Sequence, residues 1–456
     1  MKLNSVIFRE YDIRGVYNKD FDLDFAFHLA RAHAKFIVQK DPKSSKKVSV
    51  GYDARLSSPD IADAIAKGYV ASGFQVLELG LITSPISYFS TFYLKDLAGG
   101  IMVTGSHNPP EYNGFKISVG AGTIFGENIQ DLYKIMEAED FLSGEGSREH
   151  FDIFTPYVEK HKEEFKNLKS IPVVLDCGNG AAGSIVRRLY EACGLKPTIL
   201  FEEPDGRFPN HHPDPTIEKN LVWLKEAVQK EGALVGLGFD GDADRIGIVD
   251  QNGRVVWGDE FIALMTPSVL ESSSVKKIVG DVKCSDRMYD FINKAGGEAI
   301  MWKTGHSLIK EKIKTEKAPF GGELSGHIFF NDRNFGYDDA IYAGLRLIEV
   351  LGQTGKTIPE LLKDFPPAFN TPEIRIDTTE EKKHEVVEAL KAKFSKSSDE
   401  YSVNLIDGIR VSFKDGWALA RASNTQPVLV LRFESESEEG LNRMRALFDE
   451  VIEPLL

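Results

Sequence analysis

The segment GLGFDGDADRIGIVD sets Asp240, Asp242 and Asp244 at alternate positions, follows them with Arg245, and encloses them between apolar runs. In extended or turn-like backbone that spacing aims three carboxylates the same way. Clustered carboxylates repel, so a hard divalent cation is the cheapest explanation, and all-oxygen ligation favours Mg²⁺, Mn²⁺ or Ca²⁺. An EF-hand is disfavoured, because its sixth loop position would be Arg245 rather than glycine and its twelfth Gln251 rather than glutamate. Three protein ligands leave positions open for a phosphate carried by substrate or enzyme. An acidic hairpin turn is the competing reading, since turns use Asp-Gly freely.

In MVTGSHNPPEYNGFKI an apolar strand runs into Thr104-Gly105-Ser106-His107-Asn108 and two prolines. Gly105 allows a sharp turn, which would leave Ser106 at an exposed tip with His107 beside it. A serine hydroxyl assisted by a base and a cation is a nucleophile that can accept a phosphate. Lys116, in the same loop system, could donate a proton or neutralise charge. No G-x-S-x-G frame surrounds Ser106, which disfavours acyl transfer; an ordinary Gly/Ser/Asn/Pro turn stays open beside the nucleophile reading.

Three further segments carry polar chemistry. In GGELSGH, Glu323, Ser325 and His327 alternate after two glycines. Glu and Ser suit sugar hydroxyls, and His moves protons near neutral pH. In RASNTQP, Arg421 offers a guanidinium fork while Ser423, Asn424 and Thr425 offer short donors, a set that matches a phosphate dianion. Tyr11 and Arg14 of YDIRG, Lys283 of GDVKCS and His306 of KTGHS are lesser cation and donor candidates. The Pro/His-rich GRFPNHHPDP could offer His211 and His212 to a metal, but no third soft ligand lies near, so it reads as shaping.

Positioning these loops falls to a repeated pattern. VSVGYDARLSSPDIADAIAKGYVASGFQVLELG, IPVVLDCGNGAAGSIVRRLYEACGLKPTIL and KKIVGDVKCSDRMYDFINKAGGEAIMWKT each read as strand, polar turn with an aspartate (Asp53, Asp176, Asp281), helix, glycine stop and strand. Each is a βαβ unit, which requires parallel strands and a crossover helix. Beyond Pro366-Pro367 the pattern changes to short strand-like runs joined by turns, with helices segregated, which predicts an α+β domain on an antiparallel sheet.

The 456 residues fit about three domains, and 42% apolar content suffices for several cores. With 55 basic and 69 acidic side chains the net charge is −14, which argues against a surface built for nucleic acid or anionic lipid but not against local capture of a phosphate. Three cysteines cannot all pair, and a chain this long needs no disulfide staples. The N-terminal run is broken by Arg9, Glu10, Asp12 and Arg14, unlike a secretory leader, and no apolar stretch reaches bilayer length, so the expectation is a cytoplasmic protein.

From FREYDIRG through TGSHNPPEYNGFK, DGDADR, GDVKCS, KTGHS and GELSGH to RASNT, the chain resembles the α-D-phosphohexomutase superfamily over nearly its whole length and in order. The resemblance implies three related α/β domains with mixed sheets plus a C-terminal α+β domain, heart-shaped around a central cleft. Their expected spans are residues 1–150, 151–254, 255–367 and 368–456. It makes Ser106 a phosphoserine and has Asp240, Asp242 and Asp244 hold Mg²⁺ together with that phosphate. Arg14, His107, Lys116 and Arg245 would surround the transfer site, with Lys116 and His327 as acid/base groups. Glu323 and Ser325 would read sugar hydroxyls, while Arg421, Ser423, Asn424 and Thr425, aided by Lys283, Tyr11 and His306, would grip the non-reacting phosphate. The implied activity is reversible phosphate movement between C1 and C6 of mannose and glucose phosphates, with glucose 1,6-bisphosphate as activator and intermediate. Hexose phosphates would be its substrates, with no nucleic acid and no membrane as partner, and the chain would be a monomer, or else a dimer. A phosphoglucosamine mutase, a sugar-phosphate phosphatase and a non-catalytic sugar-phosphate-binding protein are the alternatives. Two departures stand out: Ala243 replaces the usual metal-loop glycine, and Leu324 stands where many relatives have Met. The first matters only if that position needs a positive φ.

Overall fold

The computed structural model describes residues 3–395, 398–423 and 426–456. Contacts divide the chain into two compact units, one made of the residues up to Trp257 with Ser325–Glu360, the other of Gly258–Leu324 with Leu361–Leu456.

In the first unit, Lys47–Tyr52 is the central strand of a seven-stranded sheet. It pairs in parallel with Gln75–Leu81 on one side and Gly99–Val103 on the other, and Gln75–Leu81 pairs in parallel with Ser147–His150. Gly99–Val103 then pairs antiparallel with Tyr112–Val119, and that strand with Ile13–Val16, so the sheet is mixed. Pleating assigns the faces. Val48 and Val50 enter the core formed with helices Leu23–Lys40 and Ser58–Ala71, whereas Ser49 turns the other way to reach Ser90 of helix Ser84–Tyr93 at 3.2 Å. Asp22 and Thr83 cap two of these helices through their side-chain oxygens, satisfying amides that have no partner inside the helix.

A second sheet of the same unit runs Val255–Val256, Ile246–Asp250, Val235–Phe239, Val173–Asp176, Thr198–Leu200. Val173–Asp176 lies between two parallel partners, while Val235–Phe239 and Ile246–Asp250 form an antiparallel hairpin. Helix Ala340–Thr354, apolar on most of its surface and almost wholly buried, packs on that hairpin. Asp339 caps it through Tyr342 N, at 2.9 Å.

The second unit repeats the parallel pattern. Lys277–Asp281 pairs in parallel with Glu298–Trp302 and with Phe320–Gly322. Beyond residue 367 comes the expected antiparallel sheet, built around Val428–Ser435, Gly416–Ala422, Ile409–Phe413 and Tyr401–Asn404. Helices Glu380–Lys393 and Glu438–Ile452 cover one face through Leu390, Val411, Phe433, Met444 and Phe448. On the other face Trp417 is buried between guanidinium groups, 3.7 Å from Arg410 and 5.5 Å from Arg432. Among the described residues no helix is long and apolar enough to cross a membrane.

Each βαβ segment read from the sequence is therefore a central strand, a helical crossover and a parallel neighbour. In all three the remaining parallel neighbour, Gly99–Val103, Val235–Phe239 or Phe320–Gly322, comes later in the chain. The polar motifs follow the C-terminal ends of those three late strands: TGSHN, DGDADR and ELSGH. Open parallel sheets carry their ligand sites at such ends.

Candidate active site

Ser106 leaves the end of Gly99–Val103 in a left-handed conformation, φ +49°, and is only 2% exposed, not at an exposed tip as the turn suggested, because the aspartate loop covers it. Its amide donates to Thr104 Oγ1 at 2.8 Å. Its hydroxyl donates to Asp240 Oδ2 at 2.8 Å and lies 3.2 Å from His107 Nδ1. The serine tip and the aspartate loop, 134 positions apart, thus share one pocket. Gly241 permits the approach, because a Cβ there would sit 2.4 Å from the Ser106 carbonyl oxygen.

The aspartate loop is a tight turn between the hairpin strands, and Asp240 Oδ1 closes it by accepting from the amides of Asp244 (3.0 Å) and Arg245 (3.1 Å). Ala243 takes φ +61° and is fully buried, so the glycine it replaces would have served the backbone. The three carboxylates are buried, with ligand oxygens all within 4.8 Å of one another. Asp242 Oδ1 is buried with no hydrogen-bond partner. Three buried carboxylates, one oxygen uncommitted, fit a hard divalent cation.

Lys116, on Tyr112–Val119, projects into this cluster. Its ammonium donates to Asp242 at 2.6 Å, to Asp244, and to Ser84 Oγ at 3.2 Å. Ser84 had no signal in the sequence beyond helix-start vocabulary, yet its hydroxyl donates to Asp242 Oδ2 at 2.5 Å and its amide to Asp242 O at 2.9 Å. Burial opposes the ammonium, but Asp242 and Asp244 outweigh it and hold the Lys116 pKa well above the usual lysine range. Burial pushes Asp240 well up, and the charges of Asp244 and Asp242 add to it. Asp244 is held well down against burial by Lys116 and His327. Burial, with Arg245 and Arg14 nearby, keeps the His107 imidazole neutral.

Around this centre, His327 Nε2 lies 3.3 Å from Asp244 Oδ1 and 3.2 Å from Arg245 Nε, and Ser325 Oγ approaches His327 Nδ1 at 3.4 Å. Asp338, unremarkable in the sequence, joins Asp244 and His327 in a second close group of ligand atoms. Arg14 donates to Asn108 Oδ1 at 2.8 Å and pairs with Asp12. Tyr11 is half-buried in the same unit.

Lys283, His306, Glu323, Arg421 and Ser423 belong to the second unit. Glu323 accepts from Gly305 N at 2.7 Å, at the start of helix His306–Glu316, where His306 is buried. Asp281 accepts from Thr304 Oγ1 (3.1 Å), Leu324 N (3.2 Å) and Cys284 Sγ (3.0 Å), with Lys283 Nζ at 3.8 Å. Two carboxylates that the sequence reading passed over complete the cluster. Glu373 pairs with Lys283 at 3.2 Å, and Asp407 accepts from Arg421 Nε (2.9 Å) and Thr304 N (3.1 Å). Ser423 is buried, and its carbonyl accepts from Lys383 at 2.7 Å. Asn424 and Thr425 lie outside the described residues.

Comparison with known proteins gives a consistent match. Family profiles described as phosphoglucomutase/phosphomannomutase alpha/beta/alpha domains I, II and III match residues 5–143, 154–253 and 257–369, and the corresponding C-terminal domain profile matches 373–451. The phosphomannomutase/phosphoglucomutase of Pseudomonas aeruginosa is 42% identical over 447 residues, covering 98% of this chain and 95% of that protein. The phosphoglucomutase of Neisseria gonorrhoeae is 41% identical over 453 residues, covering 98% and 96%. A crystal structure of a phosphoglucomutase/phosphomannomutase family protein from Burkholderia thailandensis superposes with a TM-score of 0.91 at 37% identity, covering 100% and 98% of the two chains.

Proposed function

The chain belongs to the phosphoglucomutase/phosphomannomutase family, and from that premise we propose that it moves phosphate reversibly between C1 and C6 of mannose and glucose phosphates through a phosphoserine at Ser106. The observation that carries this reading is the 2.8 Å contact between the Ser106 hydroxyl and Asp240, the first carboxylate of the buried aspartate loop. Relatives named for mannose and glucose chemistry support the sugar choice over glucosamine.

Asp240, Asp242 and Asp244, together with the phosphate of Ser106, would hold Mg²⁺, which when bound draws negative charge off the phosphoryl oxygens. The chain's own residues do the rest. Phospho-Ser106 gives its phosphoryl group to the free sugar hydroxyl: the P–Oγ bond breaks as the new P–O bond forms, the hydroxyl proton passes to a base, and the departing Ser106 Oγ takes up a proton from Lys116 as acid. His327, poised between Arg245 and Asp244, suits that proton, while Lys116, held charged by two aspartates, suits the developing phosphoryl charge. The resulting 1,6-bisphosphate turns over in the site, and Ser106 takes back the other phosphate. Arg14, His107 and Arg245 line this chemistry. Glu323 and Ser325 read the sugar, and Lys283, His306, Arg421, Ser423, Asn424, Thr425 and Tyr11 grip the non-reacting phosphate. The domains of this reading span residues 1–150, 151–254, 255–367 and 368–456, near the limits of the family profiles.

The test combines intact-mass measurement of the purified protein with turnover of mannose 1-phosphate, glucose 1-phosphate and glucosamine 6-phosphate. One added phosphate on the Ser106 peptide, and loss of turnover in Ser106→Ala, are the expected results. Full activity in that variant overturns the phosphoserine, fastest turnover of the amino sugar overturns the substrate choice, and steady release of inorganic phosphate makes the protein a phosphatase.

A further inference from the structure

Arg55 is 1% exposed, and its guanidinium uses every donor it has. Nε donates to Asp53 Oδ2 at 3.1 Å. Nη1 donates to the carbonyls of Pro109 (2.5 Å) and Tyr112 (2.9 Å), and Nη2 to those of Ser106 (2.8 Å) and Asn108 (2.6 Å). Four main-chain carbonyls of the serine loop thus converge on one planar cation. Asp53 completes the frame, accepting from Arg55 N (3.0 Å), Ser58 Oγ (2.6 Å), Thr104 Oγ1 (2.8 Å) and Gly105 N (3.2 Å). Thr104 in turn receives the Ser106 amide.

The fit depends on glycine. A Cβ at Gly105 would lie 2.6 Å from Arg55 Cζ and Nε, so only glycine lets the guanidinium slide under the loop. The Pro/His-rich segment, left without chemistry by its sequence, also packs against Arg55. Gly206 packs where a Cβ would meet Arg55 Cα at 2.5 Å, and the Phe208 ring centre lies 5.4 Å from the guanidinium carbon. His211 ties the same segment to Asp176 at 3.1 Å.

We propose that Arg55 is a positioning residue for phosphoryl transfer, its five-donor fork holding residues 106–112 so that the Ser106 hydroxyl stays at the aspartate loop in its left-handed backbone, with Phe208 clamping the fork in place. The inference rests on the phosphoserine reading of Ser106. Left-handed backbone at a non-glycine residue persists only where its surroundings over-determine it, as at many functional sites. Lysine has a point charge and three donors and cannot span four carbonyls.

The test measures steady-state kinetics, melting temperature and the single-turnover rate at which glucose 1,6-bisphosphate loads phosphate onto the dephosphorylated protein. In Arg55→Lys, kcat and the loading rate should fall roughly 10²-fold while KM stays within about threefold, because a displaced nucleophile loses rate rather than ground-state binding. A folded Arg55→Lys whose kcat matches the parent, whatever its melting temperature, overturns the proposal. Should that variant fail to fold, Phe208→Leu, which leaves every guanidinium bond in place, carries the test: kcat lowered about threefold at unchanged KM supports the clamp, and unchanged kcat overturns it. Full activity in Ser106→Ala would remove the phosphoserine reading itself; an inactive Ser106→Ala beside a fully active Arg55→Lys removes the positioning role alone.

Discussion

Asp53 and Asp281 leave the C-terminal ends of corresponding central strands, yet their surroundings are built on opposite plans. Asp53 spends its oxygens on amides, hydroxyls and a guanidinium whose own donors are all committed. Asp281 sits in a cluster of charges, Lys283, Glu373, Arg421 and Asp407, in which cations are held by carboxylates that an anion could displace. A closed network fixes one geometry, which a reacting atom needs. A network of exchangeable ion pairs holds cations in place without dedicating them, which suits capture of a phosphate. On the proposed reading, the same strand position would serve chemistry in one unit and binding in the other.

That division is open to attack. The largest effect belongs to the aspartate loop. Asp240→Asn should lower kcat by about 10²–10³-fold, yet raise the melting temperature of protein treated with a chelator, because it removes one buried, mutually repelling carboxylate. Calorimetry with EDTA beside a magnesium titration of activity checks both, and a lowered metal-free melting temperature would show that the carboxylates are not strained against one another. Next, Arg421→Lys should raise KM about tenfold and change kcat less than about threefold, since a lysine loses the fork but keeps the charge; a collapse of kcat equal to that of Asp240→Asn would erase the contrast.

A smaller effect is electrostatic. Lys283, with help from Arg375, holds the Glu373 carboxyl down to about 2 against a usual 4.5. A depressed acid stabilises the folded protein above its unfolded value and loses that contribution as pH falls toward the folded one. Glu373→Gln should therefore cost about 1 kcal/mol at pH 7, with parent and variant converging as urea melts are repeated from pH 5 down to pH 2. The smallest effect is at the turn. Ala243→Gly should stabilise the protein by about 0.5–1 kcal/mol by relieving left-handed alanine, with kcat unchanged.

Much of the architecture was legible because it is local. Strand, aspartate turn, helix and glycine stop recur three times in the chain, and each became a βαβ unit because the hydrophobic period and the glycine breaks fall within some thirty residues. The change to an antiparallel sheet beyond Pro366-Pro367 was readable for the same reason. Within the candidate site, the alternation of Asp240, Asp242 and Asp244 declared itself, whereas Ser84, Asp338, Glu373 and Asp407 did not, being common turn and cap residues whose importance comes from what they touch. The cost of Ala243 needed the backbone, since only the folded turn sets its φ.

Residue type and short-range order thus settled which chemistry the chain could carry: carboxylates for a hard cation, a hydroxyl at a glycine turn, a guanidinium among small donors. Folding settled what meets what. Ser106 and Asp240 are 134 positions apart, Lys116 and Asp244 are 128 apart, and Arg55 lies some fifty residues before the carbonyls it holds. Such pairings exist only after separate sheets have buried their cores, because no local preference of the chain acts over that distance.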